Sequence, residues 1–308
     1  MPRLTIEDFA RAFGVPATAL APETLALIDG ANLGYRRLER EERDRLILGV
    51  IERLEGGGLT QVGAHRDRIW DGAWGDMRTR FHEAGQDLEA LNPTFVGGSR
   101  LVRIAGDYAE ADDPRFELSA FEVFRDWLFR AWLAPFGSVL EFGCGSGFNL
   151  AALARLAPDK RLTGLDWSPA SVGLIGDIAD HHGFDLTGLR FDFFDPDPGL
   201  SIGRGDAVMT FCALEQVGSR FGPFLDFLLE KRPGLCLHME PTLEHYDPAS
   251  LPDALAIRYH RYRRYLDGYL TRLRELEAEG RARIRVARRL GWGSLYQECY
   301  SLTIWEPL

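Results

Sequence analysis

The order of apolar and polar positions divides this chain near residue 115. Before it, apolar residues recur at helical spacing, first as Ile6, Phe9, Ala10 and Phe13 and then as Leu46, Val50, Ile51 and Leu54. Gly56-Gly57-Gly58 ends the second of these helices, and a less regular stretch follows with Trp70, Trp74, Phe81, Leu88, Leu91, Pro93 and Val96-Gly97-Gly98-Ser99. Its tryptophans suit core packing, and the stretch as a whole suits a cap over a site. Over 116–133 the apolar positions Phe121, Phe124, Trp127, Leu128 and Trp132 are dense enough to predict a buried helix that packs on a sheet. Short apolar runs then alternate with helical segments, the pattern of an α/β fold with a parallel sheet. After Pro241, a stripe of Leu255, Tyr259, Tyr262, Leu266, Tyr269, Leu273 and Leu276 predicts one long helix, and runs at 282–289 and 298–305 predict a closing antiparallel hairpin. The expected organisation is an N-terminal helical or cap region over 1–115 and an α/β domain over 116–308, with a helical insertion at about 245–280.

The first apolar run of that domain carries the most chemistry. Val139-Leu140-Glu141-Phe142 leads into Gly143-Cys144-Gly145-Ser146-Gly147, and a helical segment follows. Such a turn lets a ligand approach the backbone and the start of a helix. A dinucleotide fingerprint requires a further glycine where Phe148 stands, so that reading is excluded. Two later runs end in acids, Leu165-Asp166-Trp167 and Arg190-Phe191-Asp192-Phe193. Two more, 206–211 and 235–239, lead into Cys212-Ala213-Leu214-Glu215-Gln216 and Glu240-Pro241.

In this order and at these intervals the segments resemble the class I S-adenosylmethionine-dependent methyltransferases over about residues 120–245. The resemblance implies a doubly wound, mostly parallel seven-stranded sheet with a C-terminal antiparallel hairpin. It implies S-adenosylmethionine as cofactor, with Gly143, Cys144, Gly145 and Gly147 passing under it and Glu141 orienting the turn and the cofactor's amino group. Asp166 with Trp167 would take the ribose, Asp192 with Phe193 the adenine, and Cys212 would lie near the transferable methyl. Gly106-Asp107-Tyr108 loosely resembles a segment that lends a tyrosine hydroxyl to the cofactor, which makes Tyr108 a further candidate.

Composition narrows the acceptor. A net charge of -10 gives no general attraction to phosphate backbones, so a small-molecule methyl acceptor is expected and nucleic acid is not. No apolar run is long enough to span a bilayer, which leads to the expectation of a cytoplasmic protein without a membrane partner. Cys144, Cys212, Cys236 and Cys299 show no CxxC pair and read as buried free thiols, and no metal-ligand spacing stands out.

Methyl transfer to a hydroxyl or amine also needs a base, and the strand exits offer three candidates. His245 is the first choice for its near-neutral titration, Glu240 suits substrate orientation, and Glu215 is a possible acid on the methyl side. His238 reads as a hydrogen-bonded core residue and His260 as a helix-surface one. Arg258, Arg261, Arg263 and Arg264 suit a solvated face, or a carboxylate or phosphate partner. The function expected is methyl transfer to a hydroxyl, amine or carbon of a small polar metabolite, with a sugar or nucleotide-linked sugar among the candidates. An RNA or protein methyltransferase and a non-catalytic S-adenosylmethionine-binding scaffold stay open, as does the oligomeric state.

Overall fold

A computed structural model describes residues 2–93 and 98–308, so Val96 and Gly97 of the glycine-rich stretch lie outside the described residues. The N-terminal region runs through α1 (Ile6–Phe13), α2 (Pro22–Gly30), β1 (Tyr35–Arg37), α3 (Arg40–Glu55), α4 (Asp67–Glu83), β2 (Leu101–Ile104) and β3 (Asp107–Ala111). Then come α5 (Phe116–Leu128), β4 (Ser138–Phe142), α6 (Phe148–Leu156), β5 (Arg161–Asp166), α7 (Pro169–His182), β6 (Leu186–Arg190) and β7 (Asp206–Phe211). The chain closes with α8 (Gly222–Lys231), β8 (Leu235–Met239), α9 (Leu251–Arg263), α10 (Tyr269–Ala278), β9 (Ala282–Arg289), β10 (Trp292–Gly293) and β11 (Ser301–Pro307).

The large sheet has the order β6-β5-β4-β7-β8-β11-β9, with only β11 antiparallel to its neighbours. From β4 the chain winds outward to β5 and β6, then returns to place β7 on the other side of β4. The strand order therefore reverses between β4 and β7, and in open α/β sheets the crevice outside the strand ends at such a point is where ligands bind. The central strands β4 and β8 are buried along their whole length, as strands covered on both faces must be. One face carries α1, α5 and α6 with Phe9, Phe124 and Leu150, and the other carries α8 and α10 with Phe224, Leu228 and Leu273.

Several expectations are corrected. The region before residue 115 is not purely helical. Its strands β1, β3 and β2 form a second antiparallel sheet, and β10 from the C-terminal half completes it. Short strands of three to five residues, interrupted by Gly98 and Gly106, leave little alternation to read. The long helix expected after Pro241 is two helices, because Arg264 (φ 57°) and Gly268 (φ 87°) turn the chain between α9 and α10. The third parallel strand ends at Arg190, so Asp192 lies in the turn beyond it. His260 is buried among Tyr246, Tyr259 and Tyr265 rather than on a helix surface. Cys144 and Cys236 are buried, while Cys212 and Cys299 are half-buried. No helix among the described residues is long and apolar enough to cross a membrane.

Candidate functional site

A cavity of about 420 Å³ opens over the ends of β4 and β7, at the point where the sheet order reverses. One end is built by the glycine turn. Gly143, Gly145 and Gly147 all have positive φ, at 71°, 52° and 72°, a region that costs any L side chain about 1–2 kcal/mol. Space is equally restrictive: a Cβ on Gly143 would lie 2.4 Å from Ala213 Cβ, and one on Gly145 would lie 2.6 Å from the Trp74 ring. Gly143, Cys144 and Gly145 line the cavity, whereas Gly147 caps α6 and packs against Ile175.

Two acids fix this end. Asp166 accepts the Gly145 amide at 2.9 Å and the Ser168 amide at 3.0 Å, so it ties the turn to the exit of β5 while lining the cavity. Burial pushes its carboxyl up to about 6. Glu141 accepts Asn149 Nδ2 at 2.8 Å through Oε1, but its buried Oε2 has no hydrogen-bond partner among the described residues. Burial raises this carboxyl to about 8. An orphaned carboxylate oxygen in a cavity wall calls for a cationic or N–H donor, since an unmet buried acceptor costs about 1–3 kcal/mol. The ammonium of S-adenosylmethionine's methionine portion is such a donor, and the Cβ-free turn beside it fits a ligand held close to backbone. The residues present therefore fit this cofactor.

Trp167 and Phe193 line the same end, joined by Phe194. Asp192 is exposed, does not line the cavity, and accepts the Phe194 amide at 2.8 Å, which shapes the turn carrying the two rings. Tyr108 is also remote from the cavity: it is buried in a cluster with Ile47, Val50 and Leu255. Trp74 is part of the buried core and Trp70 packs against it, as expected, and the two stack at 5.4 Å and also form cavity wall. They are held there because α4 is fastened to α7. Asp71 accepts Ser168 Oγ at 2.6 Å and the Ala170 amide at 3.0 Å, and Arg78 binds Asp177 with both Nε and Nη2.

The other end is assembled from distant segments. Cys212 leaves β7 with φ 50°, a strained conformation for a residue with a side chain, and lines the cavity. The following turn is braced from beneath by Glu240, whose carboxylate accepts the amides of Ala213, Leu214 and Glu215 at 3.0–3.2 Å. Glu240 does not line the cavity; it presents Glu215, which does. Burial, and then the charge of Glu240, raise the Glu215 carboxyl to about 8. Gln216 Nε2 donates to Glu215 Oε1 at 2.7 Å, and Arg66 Nη1 donates to Gln216 Oε1 at 2.6 Å. Tyr259, Arg263 and Tyr265 complete this wall.

His245 sits on the short turn Leu243–His245 and does not line the cavity, and burial lowers its imidazole to about 4. His238 is a core residue, with Thr210 Oγ1 at 3.0 Å from Nδ1 and Tyr269 Oη at 2.9 Å from Nε2. The structure thus brings Glu141, Gly143, Cys144, Gly145, Asp166, Trp167, Phe193, Cys212 and Glu215 to one cavity. Gly147, Asp192, Glu240, His245 and Tyr108 lie outside it. Sequence reasoning missed Arg66, Gln216 and Tyr265. Gln216 was quoted only as the neighbour of Glu215, no short motif carries Arg66 or Tyr265, and the arginine run around 258–264 signalled their wall through Arg263.

A methyltransferase-domain family model matches residues 139–220. No curated protein is significantly similar to the chain in sequence. Among solved structures, the [4+2]-cyclase SpnF is similar with a TM-score of 0.52 at 13% identity, over 81% of this chain and 97% of that one. A SAM-dependent methyltransferase from Aquifex aeolicus aligns with a TM-score of 0.42 at 15% identity, over 59% and 88% of the two chains. Geranyl diphosphate C-methyltransferase from Streptomyces coelicolor A3(2) aligns with a TM-score of 0.43 at 12% identity, over 75% and 98%. The likeness to the cyclase is one of fold.

Proposed function

We propose that this chain, whose residues 139–220 match a methyltransferase-domain model, is an S-adenosylmethionine-dependent methyltransferase that acts on a hydroxyl, amine or carbon of a small polar metabolite. The observation that carries this reading is the continuity of one cavity, from the orphaned Glu141 oxygen beside the glycine turn to Glu215 at the exit of β7. A pocket of this volume suits a small ligand.

When bound, S-adenosylmethionine supplies an activated methyl on its sulfonium. The protein's share is then orientation, exclusion of water and handling of a proton. Glu141 and the turn at Gly143 and Gly145 would hold the amino-acid portion, Asp166 and Trp167 the ribose, and Phe193 with Phe194 the adenine. Trp70 and Trp74 close the cavity from above. Glu215 is the base: it faces the cavity, and its ionised form, whose share grows as pH rises toward 8, can take a proton from a hydroxyl or ammonium as the nucleophile attacks. Glu240 acts through it, because its three backbone hydrogen bonds fix the turn that carries Glu215.

The test is calorimetry with S-adenosylhomocysteine followed by a methyl-transfer screen over fractionated metabolites. Saturable binding and transfer to a small-molecule fraction are expected. Absence of binding by folded protein would overturn the proposal, while binding with transfer only to RNA or protein would replace its acceptor class.

A further inference from the structure

We infer that the acceptor carries a carboxylate or phosphate group, held between the guanidinium groups of Arg66 and Arg263 at the end of the cavity away from the glycine turn. The word acceptor rests on the function proposed above; the anion site rests on the two arginines alone.

Arg66 comes from the turn Ala64–Arg66 and Arg263 from the last residue of α9, and the Val62 amide bonds the Arg263 carbonyl at 2.9 Å to hold the two segments together. Both side chains line the cavity. Each lies over an aromatic ring, Arg66 at 4.9 Å from Trp70 and Arg263 at 4.7 Å from Tyr265, a contact that restrains the guanidinium while leaving its in-plane N–H donors free to bond. Arg66 spends Nη1 on Gln216 and Arg263 spends Nη1 on the Tyr259 hydroxyl, both neutral acceptors. The Nε of each is buried with no partner, and neither arginine forms an ion pair among the described residues.

Half-buried Arg80 and Arg125 bond neutral oxygens, of Ala90 and Asn92 and of Phe148 and Asn149, whereas the guanidinium groups with acids beside them are matched. Arg103 reaches Asp253 at 2.7 Å, and Arg289 bonds Asp253 and Glu298. Two guanidinium groups that line one cavity with no ion pair among the described residues, inside a chain of net charge -10, are an arrangement that an incoming oxyanion completes. Glu215 acts on both through its charge but forms no ion pair with either, and its hydrogen bond goes to Gln216, so the donors of the two forks are not taken up by it. The position makes chemical sense: an anionic group anchored at Arg66 and Arg263 would leave the rest of the acceptor lying across Glu215 toward the methyl end.

Binding of inorganic phosphate and of acetate is measured by calorimetry, each with and without saturating S-adenosylhomocysteine, on the wild type, Arg66→Gln, Arg263→Gln and the exposed-surface control Arg258→Gln. At least one of the two anions should bind the wild type and the control alike, and each cavity variant should lose about tenfold or more in affinity. The anion that binds more tightly identifies the group. Affinity for S-adenosylhomocysteine should stay within about twofold in every variant. Should a glutamine variant fail to fold, Arg66→Lys or Arg263→Lys removes the fork while keeping the charge, and a loss in the same direction is expected. Equal anion affinity across all four proteins, or no binding of either anion to the wild type, overturns the site. Failure of S-adenosylhomocysteine to bind instead overturns the proposed function, and the anion measurement without it still decides this inference.

Discussion

The two ends of the cavity differ in how they are encoded. The glycine-turn end draws Glu141, Gly143, Cys144 and Gly145 from five consecutive residues and adds Asp166 from the neighbouring strand exit. The acceptor end draws Arg66, Glu215 and Arg263 from three segments separated by well over forty residues each. A backbone cradle has to be local, because successive φ angles shape it. A side-chain pocket for a variable acceptor can be gathered from wherever the fold brings chain to the sheet edge. The first kind of site announces itself in one dimension, and the second becomes visible only after folding.

The sharpest way to break the comparison is to damage the local end. Gly145→Val places a β-branched side chain at φ 52° and drives its Cβ into Trp74 at 2.6 Å. The backbone penalty and the displaced ring together predict a loss of about a hundredfold or more in S-adenosylhomocysteine affinity, measured by calorimetry on protein whose circular dichroism is unchanged. Anion binding should fall far less, because only Arg66 is reached through the Trp74–Trp70 stack while Arg263 rests on Tyr265. Unchanged cofactor affinity would mean that the turn is not the cradle.

Damage at the gathered end should spare cofactor binding and slow turnover. Glu215→Gln keeps shape and the Gln216 contact but cannot take a proton, so kcat on an active metabolite fraction should fall about 10²- to 10⁴-fold. The same variant has a thermodynamic signature. The folded Glu215 carboxyl titrates at about 8, against an ordinary value near 4.5 when unfolded, so between these the native state holds more protons than the unfolded chain. Stability contributed in this way is complete below the unfolded value and is lost as pH rises toward 8. Glu141, also at about 8, acts in the same sense. The lowered imidazoles of His238, His245 and His260 act oppositely, but only below their ordinary value of 6.5. From pH 6.5 to 8 the melting temperature of the ligand-free protein should therefore fall, and Glu215→Gln should flatten that fall. An equal slope in both proteins would place the Glu215 titration elsewhere.

What could be read before folding follows the same division. The sheet, the glycine turn, Asp166 and the closing hairpin were readable because each is a contiguous run with a two- or four-residue rule behind it. Asp192 was misplaced because Phe191-Asp192-Phe193-Phe194 continues the apolar look of a strand that hydrogen bonding ends at Arg190. The small antiparallel sheet was missed because β10 lies far from β1, β2 and β3 in sequence. Of the arginine run, Arg258, Arg261 and Arg264 are exposed as the solvated-face reading expects, while Arg263 turns into the cavity. One-residue differences on a helix decide such cases, and a stripe that is broken at Arg264 and Gly268 cannot fix the face.

The smallest effect is expected at the histidine that sequence favoured. A base on a loop after β8 was a sensible choice by chemistry, since an unperturbed imidazole titrates near neutrality. In the fold, however, the turn Leu243–His245 leaves the ring outside the cavity, and burial together with Arg274 and Arg289 holds it at about 4. At neutral pH the ring is uncharged but only weakly basic, and it does not face the cavity where a proton would have to be taken. His245→Ala should leave kcat within about twofold of wild type and leave its pH profile in place, because positioned proton transfer, worth about 10²–10⁴-fold, never passes through it. A small drop in melting temperature is the only change expected, from the lost packing of a half-buried ring. The pairing of this variant with Glu215→Gln separates the two readings cleanly: a large rate loss in His245→Ala beside a mild one in Glu215→Gln would move the base back to the loop.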